Sequence, residues 1–204
     1  MKKILPIATI AAAGLLSACS SSNVEQDNLE GFISSVSALG DNGENFLAVE
    51  VDDLPDSANL NGFLAAGIGN SSSIFVGNAS ATADFNTGTL TGSADNFTEF
   101  ETSAACGDSL ADCTGTALQN IDGSLDITGD ITGTNFTYNT SGVLSGNDVE
   151  GGNISADIDM DGEGAFGTVD GNLTALGVSE GSATLTSAAG SEVTYADGIL
   201  ILEE

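Results

Sequence analysis

Few residues in this sequence could do chemistry, and their types narrow the choices sharply. The chain has 3 cysteines, 2 tyrosines, 30 carboxylates, no histidine, and only Lys2 and Lys3 as basic residues. Without histidine or a lysine beyond Lys3, neither a Ser-His-Asp nor a Ser-Lys nucleophilic arrangement can be built, and there is no imidazole base. Carboxylate pairs could hydrolyse glycosides. Here, however, the acids are scattered, Trp is absent, and 9 Phe and 2 Tyr leave little platform for a sugar. We expect no catalytic residues and no enzyme.

Cys19 carries the most specific chemistry. Leu16-Ser17-Ala18-Cys19 fits the pattern cut by a lipoprotein signal peptidase, which leaves an acylated cysteine as first residue. The preceding segment agrees. Lys2 and Lys3 form a positive start, and Ile4 to Leu15 form an apolar run of about a dozen residues. A spanning helix needs about 20, so a cleaved signal is expected over residues 1–18. Ser20-Ser21-Ser22-Asn23 reads as a polar tether. Ser20, where inner-membrane retention usually requires aspartate, points to the bacterial outer membrane, with either leaflet open.

Cys106 and Cys113 remain as an even pair in CGDSLADC, and a disulfide closing that short loop suits an oxidising compartment. The alternative is a metal site, which two cysteines without histidine serve poorly. No cofactor is implied. Calcium is the one ion to consider, because Asp157-x-Asp159-x-Asp161-Gly162 matches the first half of a calcium loop. Position twelve of such a loop is Thr168 rather than glutamate. A looser calcium site is the remaining form, at a turn spanning Asp161 and Glu163. Tyr138, Tyr195 and Met160 could ligate haem iron. Both tyrosines alternate with apolar residues, so core packing with a hydrogen-bonded hydroxyl is the expectation.

The net charge is −28, and becomes −30 once Lys2 and Lys3 leave with the signal. Such a chain cannot neutralise phosphates, which excludes nucleic acid and anionic lipid as partners. Self-repulsion must be relieved by dispersal, screening or bound cations. Acidity of this degree can mean disorder, but 41% of residues are hydrophobic, so the chain is expected to fold.

The elements that must position these residues are strands. Ile121, Leu125, Ile127 and Ile131 alternate with Asp122, Ser124, Asp126, Thr128 and Asp130. Ile154-Ala156-Ile158-Met160 and Phe75-Gly77-Ala79-Ala81-Ala83-Phe85 repeat the pattern. Turns are expected at 86–88, 133–135 and 161–164. Candidate strands cover 45–51, 62–68, 74–85, 89–98, 121–132, 135–144, 153–161, 164–170, 181–187 and 193–202. Leu29 to Leu39 fits a short helix or a strand, and 101–120 reads as a long loop. The fold class expected is all-β: one small antiparallel up-and-down β-barrel of about eight strands on a flexible lipidated tether. The organisation is 1–18 signal, 19–30 tether and 31–204 barrel.

Asn78 to Ala94 (NASATADFNTGTLTGSA) resembles a hairpin of the C-terminal β-barrel of transferrin-binding protein B and its relatives. Gly162 to Gly171 (GEGAFGTVDG) resembles their G-x-F-x-G hairpin, with Phe166 and Gly167 in the diagnostic places, and Gly198 to Leu202 (GILIL) resembles their last strand. The resemblance covers residues 58–202. It implies an eight-stranded barrel on a lipid tether at the bacterial surface, in a family that binds host iron proteins, haem proteins or complement factors. This chain has one barrel rather than two lobes, so no contact residues are carried over. The function expected is a non-enzymatic binding or interaction module, anchored to the membrane at Cys19, with a protein or solute ligand at the cell surface. The alternatives are an acidic structural coat lipoprotein and a calcium-dependent adhesin.

Overall fold

The computed structural model describes residues 27–40, 43–69, 73–102, 115–147 and 152–204. Helix α1 (Asp27–Ala38) is followed by a two-residue strand, β1 (Leu47–Ala48), and a 3-10 turn at Val51–Asp53. Eight long strands follow: β2 (Ser57–Ile68), β3 (Ser73–Asp84), β4 (Thr89–Thr102), β5 (Gly115–Thr132), β6 (Asn135–Asn147), β7 (Asn153–Val169), β8 (Asn172–Ser187) and β9 (Gly190–Glu203). Each pairs antiparallel with the next, and β9 pairs back onto β2 from Ile68↔Ala196 to Asn61↔Glu203. The ring is therefore closed, and its long strands leave no open edge for another chain to pair with. β1 adds a ninth strand, paired with Gly167 and Thr168 where β7 runs past the start of β6.

The two-residue period decides what lies inside. Leu60, Leu64, Ala79, Ala81, Leu90, Leu125, Ile127, Ile158, Met160, Ala183 and Leu200 all point inward and share one buried cluster. The intervening residues carry the acids outward. In the strand registers, β6 supplies the neutral Thr137 and Ser141 between acids of β5 and β7, separating Asp130 from Glu163 and Asp126 from Asp159. Like charges directly opposite one another destabilise a sheet. Among the described pairs only one row does this, Asp161↔Glu180↔Asp197.

The base of the barrel is shut. Its turns are tight, and Asp170 (φ 51°) with Gly171 (φ 87°) has the two positive φ values of a type I′ hairpin turn. Phe166 packs against Phe85 and Phe136 there, with ring centroids 4.9 and 5.0 Å apart. Tyr138 continues the stack at 5.6 Å from Phe136. Its ring fits because β7 and β8 present glycines: a Cβ on Gly162 would strike the ring, and one on Gly177 would lie 2.8 Å from it.

One outer patch is apolar, and α1 covers it. Leu29, Phe32 and Val36 of the helix pack on Ala65, Val76, Phe100 and Ile201 of β2, β3, β4 and β9. The helix ends where Gly40 takes φ 77°, while the Asn45 amide donates to the Ala38 carbonyl at 3.1 Å. At its first turn, Asn28 is buried against a bulge between β3 and β4. The Asn28 Nδ2 donates to the carbonyl of Asn96 at 2.7 Å and, at 3.4 Å, to that of Val76. Asn96 sits at φ 52°, a left-handed conformation that asparagine tolerates well.

Several expectations are corrected. Residues 153–161 and 164–170 are one continuous strand, β7, so the turn expected at 161–164 does not exist. Gly162 and Gly164 look like turn residues but face the Tyr138 and Phe136 rings. The helix starts at Asp27, inside the stretch expected as tether, and the stretch expected as a loop at 101–120 contains the end of β4 and the start of β5. Among the described residues no helix is long and apolar enough to cross a membrane.

If Asn28 keys the helix to the bulge, Asn28→Ala should lower stability by about 1–3 kcal/mol, because it strands carbonyls in a covered site. Urea unfolding measures it, and a change below about 0.5 kcal/mol would contradict the role. In the acidic row, Asp197 titrates above its ordinary value because burial penalises its charged form. Its neutral form is favoured by folding, so its contribution is fully present below the unfolded pKa and lost as pH rises through the folded one. Asp197→Asn should therefore raise the melting temperature at pH 7, and the gain should vanish near pH 3.

Candidate functional site

Among the described residues, the end opposite the aromatic base is open. Here β2 ends at Ile68, β3 begins, β4 ends, β5 begins, β6 ends and β7 begins. Their inward residues surround a cavity of about 560 Å³. Ile68, Phe75, Ile121, Leu144, Ile154, Ala156 and Leu185 make its walls apolar. The volume is within the usual range for small-molecule sites, about 300–1,000 Å³.

Glu99 and Gln119 interrupt this apolar wall. They face each other across β4 and β5. Gln119 Nε2 donates to Glu99 Oε2 at 2.7 Å and to the Asn147 carbonyl at 2.7 Å. Its Oε1 accepts from the Asn147 N–H at 2.9 Å. The Gln119 amide thus replaces the backbone partner that β6 lacks beyond Ser145, the last of its residues paired with β5. The same amide holds one carboxylate oxygen of Glu99. The other has no partner among the described residues. A half-buried carboxylate is fixed at the rim of an apolar hole, and Glu99 is the one acid among the cavity's described lining residues.

Glu99 escapes a sequence reading for a specific reason. Alternation along β4 runs Leu90, Gly92, Ala94 and then breaks, because the bulge at Asn96 makes Phe97 the next inward residue. Past the bulge the phase is reversed, so Glu99 faces in and Phe100 faces out beneath α1. Gln119 keeps the inward phase of Ile121 and Leu125, and a second irregularity at Leu118 shifts only the residues before it, so that Ala117 faces out opposite Phe100. The Phe97-x-Glu99 spacing is the one signal that could have disclosed it.

The residues singled out from the sequence lie elsewhere. Cys19, Cys106 and Cys113 fall outside the described residues. The Cys106–Cys113 segment belongs to the connection from Thr102 to Gly115, which leaves from the open end. Asp161 and Glu163 lie in mid-strand on the outer face of β7 rather than in a turn. Asn139 Nδ2 donates to Asp159 at 2.7 Å and to Asp161 at 3.2 Å. Among the described residues no three potential ligands gather to hold a metal ion.

The two tyrosines part company. Tyr195 is on the outer face and 53% exposed, contrary to the core position expected for it. Proximity to Asp197 and Glu180, added to desolvation as the larger cause, raises its phenol above the ordinary value. Tyr138 is inside as expected, but among the described residues its hydroxyl has no hydrogen-bond partner. The nearby Ser179 hydroxyl is directed at the Met160 sulfur, 4.0 Å away. Burial pushes the Tyr138 phenol up to about 12.

Comparison with known proteins yields no relative: no family model, no curated protein and no solved structure matches the chain.

A buried hydroxyl without a partner costs about 1–3 kcal/mol in mutational data. Tyr138→Phe is thus expected to leave stability unchanged or raise it by about 1 kcal/mol in urea unfolding. A loss of about 1 kcal/mol would mean that the hydroxyl is hydrogen-bonded. Because the folded phenol titrates above the unfolded one, the Tyr138 contribution should persist to about pH 10 and fade as pH rises toward 12.

Proposed function

We propose that the protein is a lipid-anchored, non-enzymatic binding module of the bacterial outer membrane whose ligand site is the open mouth of the barrel. One observation carries this reading. Among the described residues, the barrel is plugged with aromatic rings at its base and left apolar and open at its mouth, with one carboxylate held at the rim. A barrel needed only as a stable body would fill both ends. The apolar surface at the mouth is costly to leave in water unless something occupies it.

The anchor rests on the signal pattern before Cys19, and the surface location on the resemblance to transferrin-binding protein B. That family's barrel has eight strands, and so does this one. The family's grip on host proteins is not carried across, since this chain offers no basic residues after Lys3. A second reading, an acidic coat protein without a ligand, draws support from the charge of the outer face. The two differ at the mouth, which a coat protein does not need.

Nile red, a neutral apolar dye, is the probe for the cavity. Saturable binding with one dye per chain is expected, and Ala156→Phe, which fills the cavity from β7, should weaken it by about tenfold or more. Unsaturable binding, or binding insensitive to that substitution, would favour the coat reading. For the anchor, Cys19→Ser should move the protein out of the membrane fraction, and unchanged fractionation would contradict acylation at Cys19.

A further inference from the structure

Building on the mouth as a ligand site, we infer that its ligand is a single-chain amphiphile with a primary ammonium head. The ammonium pairs with Glu99, and the alkyl chain lies against Ile121, Leu144, Ile154 and Leu185.

Beyond Lys3 there is no cationic side chain anywhere in the sequence, so no residue of this protein can neutralise a carboxylate. On the outer face this matters little, because water and salt screen the charge. Glu99 differs, because it faces inward beside Phe97 and is half removed from water by apolar walls. The Gln119 amide occupies one of its oxygens and is itself pinned at both ends by the Asn147 backbone. The carboxylate is thereby oriented before any ligand arrives, and its second oxygen is left to accept. A positive charge for that oxygen can come only from outside the chain. An ammonium supplies both the charge and the N–H donors, and charge-assisted hydrogen bonds of this kind are the strong ones. A carboxylate or phosphate head would meet repulsion from Glu99 with nothing to offset it.

The tail follows from the rest of the lining. Apart from Glu99 and Gln119, the inward wall is largely aliphatic, Leu144 and Ala156 among its residues. That surface matches a flexible hydrocarbon chain and offers few hydrogen bonds to a polar solute. The supply side agrees. Asn28 and Leu29, at the start of α1, contact Asn96 and lie beside Gly115, which places the helix start at the open end of the barrel. Seven residues lie between Cys19 and Asp27, so the two are about 30 Å apart at most. An acylated Cys19 therefore keeps the mouth within about 30 Å of the membrane surface, where amphiphiles are concentrated.

The test uses the lipid-free chain from Ser20 onward, which keeps every described residue. Dodecylamine, dodecanol and dodecanoate are titrated by calorimetry below their micelle concentrations, in about 0.15 M salt. Dodecylamine is expected to bind one per chain, at least about tenfold tighter than dodecanol, with dodecanoate weakest. Glu99→Gln keeps an acceptor for Gln119 but removes the charge, and should bring dodecylamine down to the level of dodecanol. Asp130→Asn, an outer-face control, should leave both unchanged and so separates the mouth from general attraction to an acidic surface. Should Glu99→Gln fail to fold, Glu99→Asp, which retracts the charge, is expected to give an intermediate affinity. Equal affinities for dodecylamine and dodecanol, or a dodecylamine affinity indifferent to Glu99→Gln, would overturn the ammonium assignment while leaving the Nile red result standing. Loss of the Nile red result itself would instead remove the mouth as a site.

Discussion

Everything in this structure is arranged around the impossibility of pairing a negative side chain with a positive one. A chain with 30 acids and no cation after Lys3 gains nothing from salt bridges, so its carboxylates must stay apart from one another and in contact with water. A closed antiparallel barrel meets that demand geometrically. Alternate residues point to opposite sides, the backbone pairs from strand to strand around the ring, and the fold itself needs no charge inside. The separation of acids on β5 and β7 by the neutral β6 is the same constraint at the scale of single cross-strand pairs. The row Asp161, Glu180 and Asp197 marks where it is not met.

That rule makes the interior exceptions informative. Tyr138 and Thr140 bury polar atoms that have no partners among the described residues, and both lie on the inner face of β6, where the glycines of β7 and β8 let the Tyr138 ring seat. Their hydroxyls weigh on stability but carry no charge. Glu99 carries one, and it is the inward acid to which the structure devotes a dedicated partner. Gln119 completes β6 at Asn147 and fixes Glu99 with the same amide.

Much of the fold was legible from periodicity. The alternation from Ile121 to Ile131 and the apolar stripe from Ile154 to Met160 identify β5 and β7 because each is regular over many residues. What could not be read are the places where regularity breaks. Glycines at 162 and 164 look like a turn when only local preference is weighed, and their actual purpose, room for two aromatic rings from β6, is a tertiary one. The bulge at Asn96 inverts the inward phase of β4, which hid Glu99, while Gln119 keeps the phase of Ile121 but falls in the stretch 101–120 that reads as a loop. Helix α1 was ambiguous from Leu29 to Leu39 because its apolar face is matched to a patch on four different strands. The cysteines owe their reading to sequence pattern alone.

The central claim is that the barrel is solid at its base and hollow, apolar and singly charged at its mouth. A crystal structure of the chain from Ser20 onward under xenon pressure examines this directly, since xenon settles in apolar cavities. The account predicts xenon among Ile121, Leu144, Ile154 and Leu185, none among Phe85, Phe136 and Phe166, and Gln119 bridging Glu99 to Asn147. A mouth collapsed on its own side chains, without xenon and with Glu99 turned out to solvent, would contradict it.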